Sequence, residues 1–460
     1  MHLRRYPDGW TRRHFIEQLA KGAFAAGVIA PLWQVIGNSG TCEAAYPPEL
    51  LSIEAYTKGK LKPGDVLDAR NVDIVKDLLD PFAYWQYKND GRVSDIIDTE
   101  TSLSRLVWPP FLEATLRNKG MHRIGPDGNV YTRDGKPWIG GNPFPDPASA
   151  EELLYCNALT WGKHDAEGDT IREWDTDPDG EPMYTYEMFY VMWQTVGRVA
   201  IDPKPYHPGH EQDLRILASV LSTPEDMRGF ASLTFWPYDQ RKFPTAYNYA
   251  PTIKRVRTNQ PFERFDPMTA GGTMFASDGW MIGDPLLTWG NFKMVGKGPM
   301  LACVSGAAYT NNPDWTTPLC GGKSGKKYFR TRVQLVPETY SAQLEPTHYN
   351  NCPYARKVVY YDARTLNPLT MIAYGKKGEM LHQHEGTFSF FEPVAGVKWP
   401  EGVPQNFWAW STIHAMDMQS GKMTRMALVP SITGGYTPTF EDPKLFDGYC
   451  SLDALRRIGR

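Results

Sequence analysis

The stretch RKVVYYDARTLNPLTMIAYGKKGEMLHQHEGTFSFF, residues 356–391, shows the pattern that decides the fold. It contains three strand-like runs, at 356–362, 369–374 and 379–391, and the turn sequence GKKG joins the last two. Short runs rich in β-branched and aromatic residues, separated by glycine-containing turns, are typical of antiparallel strands joined by hairpins. We therefore predict consecutive antiparallel strands in this stretch.

Similar runs extend in both directions from this stretch. About a dozen strands in sequence, with hairpin connections and few crossover helices, indicate one large antiparallel sheet. A sheet of that many strands must curl. The further predicted strands are 187–195, 230–236, 245–257, 280–288, 292–304, 328–337, 406–417 and 423–429.

Helices are predicted mainly before this sheet. The spacing of apolar residues predicts helices at 65–79, with Pro81 as a stop, and at 101–116, interrupted by two prolines. Ser149 is predicted to cap a third helix, and a short fourth helix is predicted at 213–221.

These patterns predict the α+β class and four parts of the chain. They are a signal peptide (1–44), an N-terminal helical and turn-rich segment (45–147), a curved antiparallel β domain (148–440) and a C-terminal tail (441–460).

The first 44 residues have the composition of an export signal. Arginines at positions 4, 5, 12 and 13 precede an apolar run at 22–33, which is shorter than the ~20 residues that span a bilayer. Such a pattern, with small residues before a cut after Ala44, is typical of a secretory signal peptide. The sequence TRRHFI (11–16) resembles a twin-arginine export signal. An ordinary Sec signal, or a lipoprotein signal ending at Cys42, is the alternative.

Charge and composition narrow the class of protein. The net charge of −3 gives no electrostatic case for binding nucleic acid. Aromatic residues make up 13% of the chain, and with 38 prolines and 41 glycines this suits a loop-rich β protein that has large side chains to bury.

Five cysteines follow the predicted cleavage site, and none forms a CxxC pair. An oxidising compartment permits disulfides. Cys303 and Cys320 bracket a loop rich in Gly, Pro and Asn, and we favour this pair, which would contribute ~3 kcal/mol by closing the loop. A pair of Cys320 with Cys352, or five free thiols, is the alternative.

Common catalytic and cofactor-binding motifs are missing from the sequence, so no cofactor is expected. The best metal candidates are His382 and His384, which would point to the same face of a strand. Glu385 or a remote histidine could complete the ligand set. The alternative is two polar histidines on a strand face without a metal.

A basic cluster of Lys254, Arg255 and Arg257 lies on the predicted strand 245–257. A solvated sheet face or edge explains such a cluster without a partner. The functional interpretation is a docking patch for an acidic partner or a lipid head group, which includes peripheral contact with a membrane.

Large aromatic and methionine side chains are frequent on the proposed strands and at their ends. Methionine adapts to apolar ligands of varied shape. These residues are either plain core or the lining of an incompletely filled concave face, which would bind apolar molecules. The candidate lining residues are Trp236, Trp280, Met281, Trp289, Phe292, Met294, Met371, Tyr374, Phe388 and Phe390.

A series of short motifs resembles a known periplasmic family. GGNPFPDP (140–147), followed by Glu151 and Glu152, is similar to the GGxPFPxP…E segment of domain-of-unknown-function family 1329, described as outer-membrane lipoprotein-sorting-like. Similar segments then follow in order at 227–229, 249–257, 287–297 and 354–362, so that the matches span about two thirds of the chain.

The resemblance implies a curved antiparallel half-barrel like the LolA and LolB lipoprotein carriers, with helices at the concave side. It also implies a periplasmic role in a Gram-negative bacterium, beside outer-membrane channels or efflux-type transporters that move hydrophobic compounds. It implies no known catalysis. The twin-arginine signal, the long loop at 306–327 and the extra cysteines depart from the family pattern.

Together, the residues and the resemblance predict a periplasmic carrier for a lipid or other hydrophobic small molecule, with an outer-membrane or transporter protein as partner. Two alternatives remain open. One is a non-enzymatic envelope scaffold, and the other is an exported metal-dependent enzyme that uses His382 and His384.

Overall fold

The structure is a computed structural model that describes residues 46–258, 264–392 and 406–458. The predicted signal peptide therefore lies outside the described residues. The strands are β1 (Val66–Leu67), β2 (Ser94–Ile96), β3 (His122–Ile124), β4 (Val130–Thr132), β5 (Ala166–Thr176), β6 (Pro182–Gln194), β7 (Asp213–Thr223), β8 (Ala231–Pro237), β9 (Thr245–Ala250), β10 (Arg255–Thr258), β11 (Gly290–Ala302), β12 (Leu319–Cys320), β13 (Tyr328–Phe329), β14 (Arg332–Glu345), β15 (Arg356–Asp362), β16 (Pro368–Tyr374), β17 (Met380–Phe391), β18 (Phe407–Asp417), β19 (Met423–Leu428) and β20 (Thr439–Phe440).

The helices are short. The α-helices are α1 (Ile53–Tyr56), α2 (Pro81–Asn89), α3 (Pro109–Arg117), α4 (Ala150–Ala158), α5 (Lys444–Tyr449) and α6 (Leu452–Ile458). The 3-10 helices are Pro48–Leu50, Val72–Leu78, Leu103–Arg105, Glu225–Met227, Ala276–Asp278 and Leu286–Thr288.

Sixteen of the described strands form one sheet. Its main path runs β11, β14, β15, β16, β17, β18, β19, β5, β6, β7, β8, β9 and β10, with antiparallel pairing throughout. β2 joins β14 in parallel and carries β1 on its other side, and β20 pairs with β5. β5 is the first long strand in the sequence and β19 the last, so their pairing joins the N-terminal and C-terminal parts of the sheet.

The sheet is strongly curved. Asn157 and Ala158 are adjacent residues at the end of α4, and they hydrogen-bond Tyr361 on β15 and Arg215 on β7. These two strands are seven places apart in the sheet, which in a flat sheet is about 34 Å at ~4.8 Å per strand. Two side chains cannot span that distance, so the sheet bends around α4.

The C-terminal helices α5 and α6 close the convex, outer face of the neighbouring strands β5–β8. Phe189 on β6 stacks on Tyr436 and contacts Tyr449, and Trp193 packs against Phe446. Because side chains alternate along a strand, the residues between Phe189 and Trp193 alternate between this outer face and the concave, inner face.

Residues 264–289, which we call the strap, cross the inner face. Thr269 donates a hydrogen bond to Glu173 on β5, and Thr273 donates one to the Ala415 carbonyl on β18. Apolar side chains of the strap and of α4 then pack with those of β14–β17 in one buried cluster. Strap and helix therefore complete the core on that side of the inner face.

The predicted fold class is confirmed as α+β with a large, strongly curved antiparallel sheet. A helix, α4, lies at the concave side, and α1, α2 and α3 precede the first long strand. The predicted cap is also confirmed, since Ser149 Oγ accepts a hydrogen bond from the Glu152 amide at 3.2 Å.

Two local predictions are wrong because the period of the apolar residues was misassigned. Residues 213–221, predicted as a helix, belong to β7, where Leu214, Ile216 and Ala218 are buried at every second position. The predicted strand 280–288 is part of the strap and ends in a 3-10 turn.

Two further boundaries differ from the predictions. The predicted strand 245–257 is the hairpin β9–β10. Pro81 is the first residue of α2 rather than a stop, and a proline likewise begins α3. The first helical residue needs no partner for its N–H, so proline is well suited to that position.

Candidate ligand-binding site

We call the inner face of β14–β17 the covered half. A buried ion pair joins the strap to the sheet there. Lys357 on β15 is completely buried and lies 3.0 Å from Asp278 of the strap. It also donates a hydrogen bond to the Ser277 carbonyl, and Asp278 accepts one from the Tyr354 hydroxyl. Burial acts to raise the pKa of Asp278, but the Lys357 charge holds that pKa below its ordinary value. Strap and sheet are therefore joined by charges that compensate each other.

His382 and His384 lie on the same face of β17, beneath the strap. The His382 ring packs 4.8 Å from Phe275, and burial lowers the pKa of His384 to about 4, so this ring is neutral at pH 7. Glu385 points to the opposite face, where Arg92 pairs with it at 2.8 Å. In the described ranges no group of three or more His, Cys, Asp or Glu side chains is placed to hold a metal ion.

The structure contradicts the predicted disulfide between Cys303 and Cys320, because no disulfide joins any of the five cysteines in the described residues. The Cys303 thiol donates to the Thr331 hydroxyl, and the Cys320 thiol donates to the Val93 carbonyl. Pairing of β12 with β13 sets Cys320 opposite Tyr328 instead. Five free thiols were the alternative that the sequence left open.

Strand β5 presents a column of acids to the inner face. Glu167, Asp169, Glu173 and Asp175 occupy alternate positions and all are buried. Burial raises the pKa of all four carboxyls, to about 8 for Glu167 and Glu173, where the neighbouring aspartates add to the effect. Glu167 and Glu173 therefore keep their protons, and remain neutral, near pH 7.

Arg215 on β7 is completely buried in a cluster of indole rings on the inner face. Its guanidinium carbon lies 4.2 Å from the centre of the Trp161 ring and 6.0 Å from that of Trp236. Trp161 packs edge-on against Trp236 at 4.8 Å and stacks at 6.4 Å on Trp280 of the strap. Arg215 also donates to the Ala158 carbonyl. The cluster thus joins two strands, α4 and the strap.

An apolar surface adjoins this indole cluster. Met188 on β6, Leu217 on β7, Ile413 on β18 and Trp280 are half-buried. Trp280 packs against the buried cluster that Met188 and Ile413 adjoin and also against the one that Leu217 adjoins. We call the inner face of β5–β8, together with Ile413 on β18, the open half, because these four apolar side chains keep part of their surface exposed.

The structure brings together only some of the predicted lining residues. Trp236 and Trp280 belong to the indole cluster. The others lie elsewhere: Met281, Trp289 and Met371 are buried in the covered half, Phe388 is buried against Trp408, Phe292, Tyr374 and Phe390 are half-buried against the core, and Met294 is 40% exposed on β11.

The predicted docking patch is exposed at one end of the sheet. Arg255 and Arg257 lie on β10, and Lys254 ends the preceding turn with a φ of 50°. In the described part of the chain, β10 pairs only with β9 and no carboxylate lies within ion-pair distance of these three side chains. Both the strand edge and its charges thus face solvent.

Sequence reasoning missed the charged residues of the open half. Arg215 lay in a segment predicted as a helix, and β5 was not predicted because its acids do not resemble a buried strand. A period-two signal was present at Leu214, Ile216, Ala218 and Val220. That signal would have placed Arg215 on the opposite face of the sheet from these four residues.

The fold and this site define the class as a curved half-barrel whose inner face is only partly covered by the chain itself. The chain belongs to the family described as Protein of unknown function (DUF1329), whose model matches residues 66–456. This match confirms the resemblance found in the sequence. A comparison with curated proteins gives no match.

Several solved structures are similar to this chain, among them the following three. They are a putative outer membrane lipoprotein-sorting protein domain from Vibrio parahaemolyticus (16% identity, TM-score 0.41, 67% of this chain and 98% of that one), a DUF1329 family protein from Desulfovibrio piger (12%, 0.42, 68% and 99%) and a LolA superfamily protein from Nitrosomonas europaea (10%, 0.37, 65% and 97%). None of the helices within the described residues has the length and apolar character needed to cross a membrane.

Proposed function

We propose that this protein is a periplasmic carrier for a lipid or other hydrophobic molecule. The observation that supports this proposal is the incompletely covered apolar surface of the open half, formed by Met188, Leu217, Trp280 and Ile413. The outer face of the same strands is closed by α5 and α6, so the exposed apolar area lies inside the curve, where a ligand would be shielded from water.

The energy available from such a surface is sufficient for transport. Each buried CH₂ group is worth ~0.8 kcal/mol, so a twelve-carbon chain gives about 9 kcal/mol before the cost of ordering. Release would then require a competing partner. We propose an outer-membrane or efflux-type transport protein for that role, in keeping with the predicted export signal.

Solvent extraction of the purified protein tests the proposal directly. Mass spectrometry of the extract should show a reproducible hydrophobic compound that is missing from a mock preparation. An empty extract, together with no binding of the neutral fluorescent probe N-phenyl-1-naphthylamine, would contradict the carrier function.

A matched pair of methionine variants locates the binding surface. Met188→Gln should weaken binding of the neutral probe about 10-fold, because an amide without a partner must then be buried with the ligand. Met294→Gln, at an exposed position on β11, should leave binding unchanged. Equal effects of the two variants would mean that the probe does not bind the open half.

The exposed basic strand favours a second candidate function, an envelope scaffold. A row of unpaired Arg and Lys side chains on an edge strand can dock on an acidic partner or on lipid head groups. Replacing Lys254, Arg255 and Arg257 by Ala should then abolish co-purification with membrane fractions. The double variant Lys376→Ala/Lys377→Ala, in an exposed turn, serves as the control. If both variants retain the same membrane protein, the basic patch has no docking role.

A further inference from the structure

Arg215 lacks the kind of counter-ion that Lys357 has in the covered half. In the described residues no carboxylate lies within 4.0 Å of its guanidinium. Arg264 also lies near Trp236, with its guanidinium carbon 5.8 Å from the ring centre, but it pairs with Asp284 at 2.6 Å. Lys357 pairs with a strap carboxylate in the same way. A buried charge without a partner is costly, so its retention calls for an explanation.

Several hydrogen-bond donors of Arg215 and of the indole rings around it also lack an acceptor in the described residues. Its Nε and Nη1 atoms, and the indole nitrogens of Trp161 and Trp236, are buried without a partner among the described residues. All four are N–H donors, and none can accept a hydrogen bond. Buried donors are normally satisfied. A negatively charged acceptor would satisfy this group of donors and balance the positive charge at the same time.

Neighbouring acids do not supply this charge. Glu167 and Asp169 lie on the inner face of β5, and β6, which carries Tyr190, separates β5 from β7 and Arg215. Neither acid forms an ion pair with the guanidinium in the described part of the chain. The described residues therefore leave the charge of Arg215 unbalanced.

We propose that Arg215 binds the carboxylate of a long-chain fatty acid whose hydrocarbon chain lies along the open half. This inference rests on the proposed carrier function and names the class of its ligand. The head group would accept hydrogen bonds from Arg215, Trp161 and Trp236. The chain would pass over Leu217, two residues along β7 on the same face, toward Met188 and Trp280. A single carboxylate balances the single unpaired guanidinium, whereas a phosphate dianion would leave excess negative charge.

Calorimetric titration of delipidated full-length protein with four ligands tests the head group and the chain separately. Dodecanoate, 1-dodecanol and butyrate share either the chain or the carboxylate. We expect dodecanoate to bind at least 10-fold more tightly than 1-dodecanol, since hydrogen bonds to a charged group are worth that factor or more. Butyrate should show no binding. Dodecyl phosphate should bind less tightly than dodecanoate, and the reverse order would replace the carboxylate by a phosphate and overturn the proposal.

Variants then assign the preference to named atoms. Arg215→Met keeps the volume and removes the charge, so it should lower the affinity for dodecanoate 10- to 100-fold and leave that for 1-dodecanol within about 2-fold. Trp161→Phe removes one donor and should lower the dodecanoate affinity about 5-fold. Arg425→Met removes another buried guanidinium, on the outer face, and should change neither affinity.

The outcomes separate this inference from the carrier function. Equal affinities of the wild-type protein for dodecanoate and 1-dodecanol would overturn the head-group site and leave the carrier function standing. No binding of either twelve-carbon ligand would remove both. The comparison of ligands needs no variant, so it decides the question even if Arg215→Met fails to fold.

Discussion

Lys357 and Arg215 lie on the same inner face, seven strands apart, and each is completely buried among aromatic rings. Lys357 has the ring of Trp289 at 4.7 Å, and Arg215 has that of Trp161 at 4.2 Å. The difference is the counter-ion. The strap supplies Asp278 to Lys357, whereas within the described residues Arg215 donates to the Ala158 carbonyl and has no carboxylate at ion-pair distance.

The covered half and the open half therefore differ in how their apolar side chains are covered and in how their buried charge is compensated. In the covered half the strap brings both apolar side chains and a matching charge, so the core there is complete. In the open half the apolar residues are half-buried and the charge is unmatched. The covered half therefore serves stability, and we propose that a ligand completes the open half.

The largest expected effect is the loss of Lys357. Lys357→Met leaves Asp278 buried without its partner, which should lower the free energy of unfolding by about 3–5 kcal/mol. Chemical denaturation measures this loss. The double variant Lys357→Met/Asp278→Leu should recover most of the stability, because an apolar pair replaces an ion pair. No recovery would mean that the ion pair is not what joins strap and sheet.

The next effect concerns the acids of β5. The pKa of Glu167 is raised from 4.5 to about 8, so between these values the folded protein binds more protons than the unfolded chain. The contribution of Glu167 to the free energy of unfolding should therefore fall as the pH rises from about 4.5 to about 8. Glu167→Gln should be more stable than the wild-type protein at pH 8, by roughly 1–3 kcal/mol, and equal to it below pH 4.5.

Thermal unfolding of both proteins across this pH range provides the measurement. A difference in stability between wild type and Glu167→Gln that does not change from pH 4.5 to pH 8 would show that Glu167 is ionised in the folded protein. It would then act as a counter-ion within the open half, and the contrast with Lys357 would disappear.

Arg215→Met, unlike Lys357→Met, should cause no large loss in the free energy of unfolding. Removing an unpaired buried charge leaves no orphaned carboxylate, so the free energy of unfolding of the ligand-free protein should stay within about 1 kcal/mol of wild type, or increase. Denaturation of delipidated protein measures it. A loss as large as that of Lys357→Met would show that Arg215 has a structural partner.

The smallest expected change in stability comes from supplying the missing charge within the chain. Leu217→Glu places a carboxylate two residues from Arg215 on the same face of β7, within reach of the guanidinium. The free energy of unfolding should change by less than about 1 kcal/mol. The new ion pair stays partly exposed to water, so the attraction between its charges and the cost of desolvating them are both small. Dodecanoate binding should nevertheless be lost in calorimetric titration. The isosteric variant Leu217→Gln, which lacks the charge, should retain measurable binding.

Much of the fold could be predicted from the sequence. The runs of β-branched and aromatic residues at 356–362, 369–374 and 379–391 correspond to β15, β16 and β17 with errors of one residue. Such strands are buried on both faces, and glycine-containing turns mark their ends, so composition and turn chemistry suffice. β5 and β7 were not recognised, because a strand that faces the inner cluster with charged residues has no apolar signal on that side.

The candidate site could be predicted only in outline. Trp236 and Trp280 were proposed as lining residues, and the structure places both in the indole cluster. Arg215 and Trp161 were not proposed, since neither stands in a recognisable motif. Met294 was proposed from the same pattern as Trp280 but lies exposed on β11, because residue type alone does not tell which side of a curved sheet a side chain faces.

The sequence by itself determined the strands, the need for a sheet of this size to curl, and the family. Local propensity, period-two patterning and turn residues act over a few positions, so they can be read directly along the chain. Tertiary structure alone decided which buried cation received a carboxylate. That outcome depends on where the strap crosses the sheet, bringing Asp278 to Lys357, which lies 79 positions away in sequence. Arg215 is left among tryptophans with no carboxylate partner in the described part of the chain.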